Sequence, residues 1–297
     1  MSKFICAADL HVRQDRPRCR IDDNWEETQR LMINEIVTIA NNKNCNLVLV
    51  GDTYDSPNCP ARIIAMMIEE LSKINNKVLF LAGNHELPYH SIENVSNSSI
   101  GIFMTMAKEH NKIVEGMSEY GQWNHFNCEV QGKKTGLLFQ HRLVFENIKS
   151  MPPNVQAISA QELLKEYPDV DWIFLGDNHS AFHYEKNGKH IVNPGTTIRQ
   201  SVNEQSYKPS VYYVNTENEI VERIYLNDNI AMVEDGYLVE ETERINHIEA
   251  FVEKLKKNEA VELDFLSNIE NGLLVNKKLS KETVKMIREL CAIKGEE

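Results

Sequence analysis

"KVLFLAGNHE", residues 77–86, begins as a strand and ends as something else. The apolar run gives way at Gly83, and Asn84, His85 and Glu86 follow without a break. Polar side chains at the end of a buried strand need a partner that offsets their desolvation. The same kind of ending recurs four times. "FICAA" (4–8) runs into Asp9, Leu10 and His11, and "LVLV" (47–50) into Gly51 and Asp52. "GLLFQ" (136–140) ends at His141, and "WIFL" (172–175) at Gly176, Asp177, Asn178 and His179. Taken singly, an Asp after a strand is usually a turn or a helix cap, and a lone His is usually structural. Five together point elsewhere, because turn chemistry has no reason to prefer His over Ser, Thr or Gly. In open α/β sheets the carboxyl ends of strands are where ligands bind.

The flanking pattern supplies such a sheet. "NWEETQRLMINEIVTIANN" puts Leu31, Ile33, Ile36, Val37 and Ala40 on one helical face, with Asn24 as N-cap and Glu27 three residues on. A second helix is expected from about Arg62 to Ile74 and a third near 100–110, with strands near 112–115 and 126–131. "SAQELLKEY" carries a capping box in Ser159 and Glu162. "HIVN" (190–193), "SVYYVN" (210–215) and "EIVERIYL" (219–226) read as further strands. Early strands alternating with helices give an α/β class, and the closely spaced later ones an antiparallel portion. From Asn227 the chain turns more acidic. "ERINHIEAFVEKLKK" is amphipathic there, and another helix is expected from about Ser280. The expected domains are therefore 1–226 and a small α+β domain, 227–297.

The composition narrows the class. With 297 residues, 42% hydrophobic and 26% charged, this is ordinary globular material. No run approaches the roughly 20 apolar residues of a membrane span. "MSKFICAADLHV" enters a strand with no cleavable signal pattern. The cysteines at 6, 19, 45, 59, 128 and 291 form no CxxC pair, which favours a reducing cytoplasm. A net charge of −12 repels nucleic acid unless bound cations or a local basic patch reverse it. The densest basic cluster is "RQDRPRCR" (13–20), with Arg13, Arg16, Arg18 and Arg20 as candidate DNA contacts.

Carboxylate, imidazole and amide oxygen together make a ligand set suited to Mn²⁺, Fe²⁺ or Zn²⁺. Asp9, His11, Asp52, Asn84, His141, Asp177 and His179 exceed the capacity of one tetrahedral ion, so two metals are the natural count.

In order, D-x-H, "GDTYD", "GNHE", an isolated His after a strand and a final G-x-x-H resemble the motifs of calcineurin-like metallophosphoesterases, over roughly residues 1–215. The resemblance implies a two-layered β-sandwich flanked by helices, with a dinuclear site at the strand ends. It implies that Asp9, His11 and His179 hold one metal, Asn84 and His141 the other, and that Asp52 bridges them. His85 would sit beside the phosphate and assist the leaving group. Where the family usually has G-H-x-H, Asp177 replaces the first His, which gives the second metal a carboxylate. That oxygen ligand suits Mn²⁺ first, with Mg²⁺, Fe²⁺ or Zn²⁺ as alternatives.

Fold and metals do not fix the substrate. "GDTYDSPN" lacks the Arg-Gly of protein phosphatases and is similar to the G-D-x-F-D-x-P of SbcD-like DNA-repair nucleases, as is "VNPGTTIRQSVNEQ" (192–205) to their P-G-S segment. That branch implies DNA as substrate, a homodimer and an SMC-like ATPase partner. Val284, Ile287 and Leu290 form a helical stripe that could dock it. The short chain and its Asn/Lys/Ile-rich flavour are similar to bacteriophage-encoded members. A small-molecule phosphodiesterase or phosphatase, for which an acidic surface is no handicap, and a degenerate non-enzymatic scaffold are the alternatives. His90, His110, His125, His183, His190 and His247 belong to no motif.

Overall fold

The computed structural model describes residues 3–107, 113–117, 124–130, 133–151, 155, 157–227 and 281–290. The chain divides into two compact units, Met1–Asp235 and Gly236–Glu297.

In the first unit, β1 (Lys3–Ala7), β2 (Asn46–Val50) and β3 (Val78–Leu81) are parallel neighbours joined by helices α1 (Trp25–Asn42) and α2 (Ala61–Ser72). The strand β4 (Ile113–Met117) extends this sheet beyond β3, following α3 (Ser99–Ala107) in the chain. On the other side β12 (Ser210–Asn215) and β13 (Ile220–Tyr225) add antiparallel strands to β1, giving the order β13-β12-β1-β2-β3-β4. A second sheet, in the order β10-β11-β9-β6-β5, holds β5 (Asn124–Val130), β6 (Lys133–His141), β9 (Trp172–Gly176), β10 (Phe182–Lys186) and β11 (Lys189–Asn193). The short pair β7 (Val144–Phe145) and β8 (Ile158–Ser159) precedes α4 (Ala160–Glu166).

The period-2 alternation of a strand explains the layers. Phe4, Cys6, Val48 and Val50 of one sheet meet Phe139, Trp172, Phe174 and Val192 of the other in one core. Phe174 packs edge-on to Phe4 at 4.9 Å between centroids and stacks on Phe139 at 4.8 Å. The alternate residues Ile5, Ala7, Leu47 and Leu49 face a core with Ile33, Ile36, Ile64 and Met67 of α1 and α2. Leu138, Ile173, Leu175 and Ile191 likewise share a core with Ala160 and Leu163 of α4. Both faces of each central strand are covered, so β1, β2 and β9 read as continuous apolar runs. Each fully buried Val, Leu or Phe contributes about 1.5–3 kcal/mol. The result is the expected α/β architecture, two facing sheets with helices outside.

Local signals hold where capping chemistry is explicit. The Asn24 side chain accepts from the Glu27 N–H at the start of α1, and Ser159 and Glu162 form both bonds of the capping box. One expectation fails: Leu31 is 50% exposed, while Met32 and Gln29 are buried. The inward row of α1 runs through 29, 32, 33, 36, 37 and 40 and skips position 31.

In the second unit, the described residues form the helix α5, Lys281–Leu290, next to the expected start at Ser280. The amphipathic segment 243–257 lies outside the described residues. Among those described, no helix is long and apolar enough to cross a membrane.

Candidate metal centre

The strand ends converge because their loops are laced together by the backbone. The Asp9 N–H donates to the Gly51 carbonyl at 3.2 Å, His11 N–H to Asp52 O at 2.9 Å and Val12 N–H to Thr53 O at 2.9 Å. The loops after β1 and β2 therefore run side by side. In doing so Asp9 (φ 50°), His11 (φ 45°), Asp52 (φ 47°) and, from the second sheet, Asp177 (φ 77°) adopt left-handed backbone. Asp and His tolerate this region better than most residues, yet each instance still costs about 1–3 kcal/mol. Four such residues in one place are what a site held together by its surroundings looks like.

Among the described residues, three groups bring ligand atoms within 4.8 Å of one another: Asp9, His11 and His179; His11, Asp52 and His85; Asp9, Asp52 and His141. Asp9 and Asp52 recur, one behind each imidazole pair. Asp52 Oδ2 is 3.1 Å from His141 Nε2 and 3.8 Å from His11 Nε2, between the two sides of the cluster. Asp52 could therefore reach a cation on either side.

The ring nitrogens show how the site could hold a cation. Nδ1 of His141 lies 2.9 Å from the Val50 carbonyl, which can only accept, so Nδ1 carries the proton. Nε2 on the other side of the ring faces oxygens: Asp52 Oδ2 at 3.1 Å, Asn84 Oδ1 at 3.2 Å, and Asp9 and Asp177 at 4.0 Å each. A nitrogen surrounded by acceptors needs a proton or a metal ion between it and them. Burial disfavours a charged ring there, but Asp52, Asp9 and Asp177 outweigh it and push the His141 pKa up to about 10. Burial likewise works against the charge on Asp52, yet His141, His11 and His85 bring its pKa down to about 2. On the other side His11 Nε2 and His179 Nε2 face each other at 3.2 Å. These donors fit divalent metal, which His141 and His179 would hold through Nε2.

The outer partners fix the ligands. Glu204 accepts from Nδ1 of His179 at 2.7 Å, and Asp55 lies 3.5 Å from Nδ1 of His11 while holding Arg13 at 2.8 Å. The Asp177 N–H donates to the Asp9 carboxylate at 3.0 and 3.2 Å. Glu86, fully buried, accepts from Tyr54 N–H at 2.9 Å and Gly83 N–H at 2.8 Å, clasping the loops after β2 and β3. Two glycines make room for His141: a Cβ on Gly51 would lie 2.1 Å from its Nδ1, and one on Gly176 2.5 Å away.

A family model for calcineurin-like phosphoesterases matches residues 2–193. The chain belongs to that family. Members typically bind two divalent metals, and the clusters around Asp52 are candidate sites for them. An archaeal phosphodiesterase is similar in structure at 15% identity and a TM-score of 0.45, over 75% of this chain and 99% of its own. A conserved protein of Streptococcus pneumoniae, described as a predicted phosphoesterase, is similar at 13% identity and a TM-score of 0.36, over 79% of this chain and 94% of its own. A search of curated proteins found no match.

In this phosphoesterase the expected ligands Asp9, His11, Asp52, Asn84, His141 and His179 stand together. Asp177 stands at the edge, its carboxylate 4.0 Å from His141 Nε2 and outside the three groups. His85 is exposed, with its N–H donating to Asp52 Oδ1 at 2.9 Å and its ring 4.9 Å from that of His11. The basic loop needs correction at Arg20, which is 1% exposed and binds both oxygens of Asp22 at 2.7 Å. It also lies over the Trp25 ring at 5.1 Å, so it is a core residue rather than a DNA contact. Arg16 and Arg18 are exposed, and Arg13 is half-buried on Asp55. Glu204 was assigned no role from the sequence. Its signal was the capping box of Ser201 and Glu204, which the structure contains.

Proposed function

We propose that this phosphoesterase is a Mn²⁺-dependent DNA exo/endonuclease subunit of the SbcD-like kind, working in repair, recombination or end processing. The observation that carries the reading is the segment 192–205, whose likeness to nucleases was noted on sequence grounds and which supplies the site's outer supports. Thr196 Oγ1 lies 2.9 Å from the Asp9 carbonyl, and Glu204 holds His179.

Asp9, His11 and His179 would hold one cation and Asn84 and His141 the other, with Asp52 between them and Asp177 beside the second. Bound there, two divalent cations would supply an activated water and screen charge on the phosphoryl oxygens. His85, exposed beside the cluster and tied to Asp52 through its backbone N–H, would give a proton to the leaving oxygen. Such general acid help is worth roughly 10²–10⁴ in rate. The homodimer and the SMC-like ATPase partner belong to the same proposal, as does a cytoplasmic setting, which the free Cys6, Cys19, Cys45 and Cys59 support.

A small-molecule phosphodiesterase is the second reading, favoured by the net charge of −12 and by the loss of Arg20 from the surface cluster. Turnover of linear double-stranded DNA and of a chromogenic phosphodiester, each with Mn²⁺ and with Mg²⁺, separates the two. Cleavage of DNA with Mn²⁺ supports the nuclease. Turnover of the small ester alone replaces it with the second reading.

A further inference from the structure

We infer that Tyr89 is a stacking platform for an unpaired nucleobase next to the phosphate being cleaved. The inference rests on the nucleic-acid reading above and names a specificity residue for it. Among the described residues Tyr89 is the most exposed large hydrophobic side chain, at 92%, against 66% for the next, Ile148. Its backbone is also left-handed, with φ 57° and ψ 23°. The other non-glycine residues with positive φ are Asp, His, Asn or Glu. Asp, Asn and His are enriched in that region, whereas a bulky residue there is an outlier.

A turn alone needs no tyrosine; Gly or Asn would adopt it at lower cost. The side chain therefore gains nothing from local conformation and nothing from burial. What an exposed ring on a fixed backbone offers is a flat face.

The backbone is fixed on both sides. Glu86 is anchored by Tyr54 and Gly83, Leu87 is buried at 1%, Pro88 restricts its own φ, and the Ser91 N–H closes the turn on Pro88 O at 3.2 Å. Tyr89 follows the exposed His85 by four residues, so their Cα atoms are at most about 14 Å apart. A base adjoining a phosphate at the metal cluster falls within that reach. Stacking on an aromatic ring suits any base and requires it to be unpaired.

The test uses oligothymidylates in which one residue at a time is abasic, cleaved with Mn²⁺ by the full chain. In the parent, losing the base at one position should raise KM about 5- to 150-fold, the range of a single base–aromatic stack. Tyr89→Phe and Tyr89→Trp should keep that dependence. Tyr89→Ala should raise KM on the intact oligomer and remove the dependence, so that intact and abasic substrates behave alike. A second measurement guards against a merely structural role: Tyr89→Gly should melt at a higher temperature than the parent while losing the same base dependence. If Tyr89→Ala keeps the parent's positional pattern, the platform is refuted and the nuclease reading stands. If the parent cleaves linear double-stranded DNA but no oligothymidylate, the platform is refuted and the nuclease reading stands; if it cleaves a small diester but neither form of DNA, the nuclease reading fails and the platform fails with it.

Discussion

Glu204 accepts a hydrogen bond from Nδ1 of His179 at 2.7 Å, while its other oxygen takes the backbone N–H of Gln200 at 2.6 Å and of Ser201 at 3.1 Å. A carboxylate pinned by two backbone donors is a rigid stop for the imidazole; it holds the proton on Nδ1 and aims Nε2 inward. Such outer-shell partners typically contribute 10- to 100-fold in metal affinity. Glu204→Ala should raise the Mn²⁺ concentration for half-maximal activity by about that factor. Glu204→Gln, which still accepts from Nδ1, should raise it less. Metal titrations of activity measure both, and curves overlapping the parent's would remove Glu204 from the centre.

Gly51 has φ 82° and its Cα faces the His141 ring, with an added Cβ only 2.1 Å from Nδ1. Gly51→Ala adds left-handed strain of about 1–3 kcal/mol to an overpacking cost of about 1–3 kcal/mol. The expected loss is roughly 2–6 kcal/mol, together with displacement of His141 and weaker binding of metal. Denaturant unfolding and elemental analysis check the two halves separately.

Arg20 makes a different point about the basic loop. Its guanidinium is buried against Asp22, whose side chain is 6% exposed. Removing one partner of a buried ion pair leaves the other uncompensated, typically at about 3–5 kcal/mol. Arg20→Ala should destabilise the fold by that amount without altering the salt dependence of DNA binding. Neutralising the exposed Arg16 and Arg18 should instead leave stability within about 0.5 kcal/mol and flatten the dependence of binding on salt. Equal salt slopes in parent and double variant would take the loop out of DNA binding.

His183 and His190 offer a pH-dependent test away from the metals. Their rings stack at 5.4 Å between centroids, and His190 lies on Trp172 at 3.9 Å. Burial lowers both pKa values, and for His183 the neighbouring His190 adds to the effect. A histidine depressed in the fold is protonated more readily in the unfolded chain. Its contribution is therefore complete above the unfolded pKa of about 6.5 and is lost as pH falls toward the folded value. Stability should drop below about pH 6.5, and His190→Phe should make that drop shallower. Parallel stability curves for the two proteins would contradict the assignment.

The strand ends were readable because Asp, Asn and His recur there in place of the Ser, Thr and Gly that turn chemistry would accept equally. A run of Val, Leu and Phe stopping at Asp, Asn or His marks both the strand and the edge where such side chains gather, as at Leu49 to Asp52 and Phe80 to His85. The helices α1 and α2 were readable from period and cap. The strand β10 was not, because "FHYEK" is an edge strand with Glu185 and Lys186 exposed, and lacks the apolar run of a central one. Arg20 was misread because a run of arginines is normally a solvated face. Its burial depends on Asp22, Trp25 and the distant Arg199 carbonyl, 3.3 Å from Nη1, and no spacing rule joins these. Asp177 is both things at once, a left-handed turn whose N–H holds Asp9 and a carboxylate at the margin of the second cluster.

The central claim is a two-metal centre with Asp52 between the ions, and metal counting on catalytically active protein tests it most directly. Elemental analysis and Mn²⁺ titration calorimetry should give two ions per chain in the parent. In Asp52→Asn they should give weaker binding and nearly complete loss of phosphodiester hydrolysis. One tightly held ion per chain in a fully active preparation, or an active Asp52→Asn enzyme with both ions bound as in the parent, would contradict it.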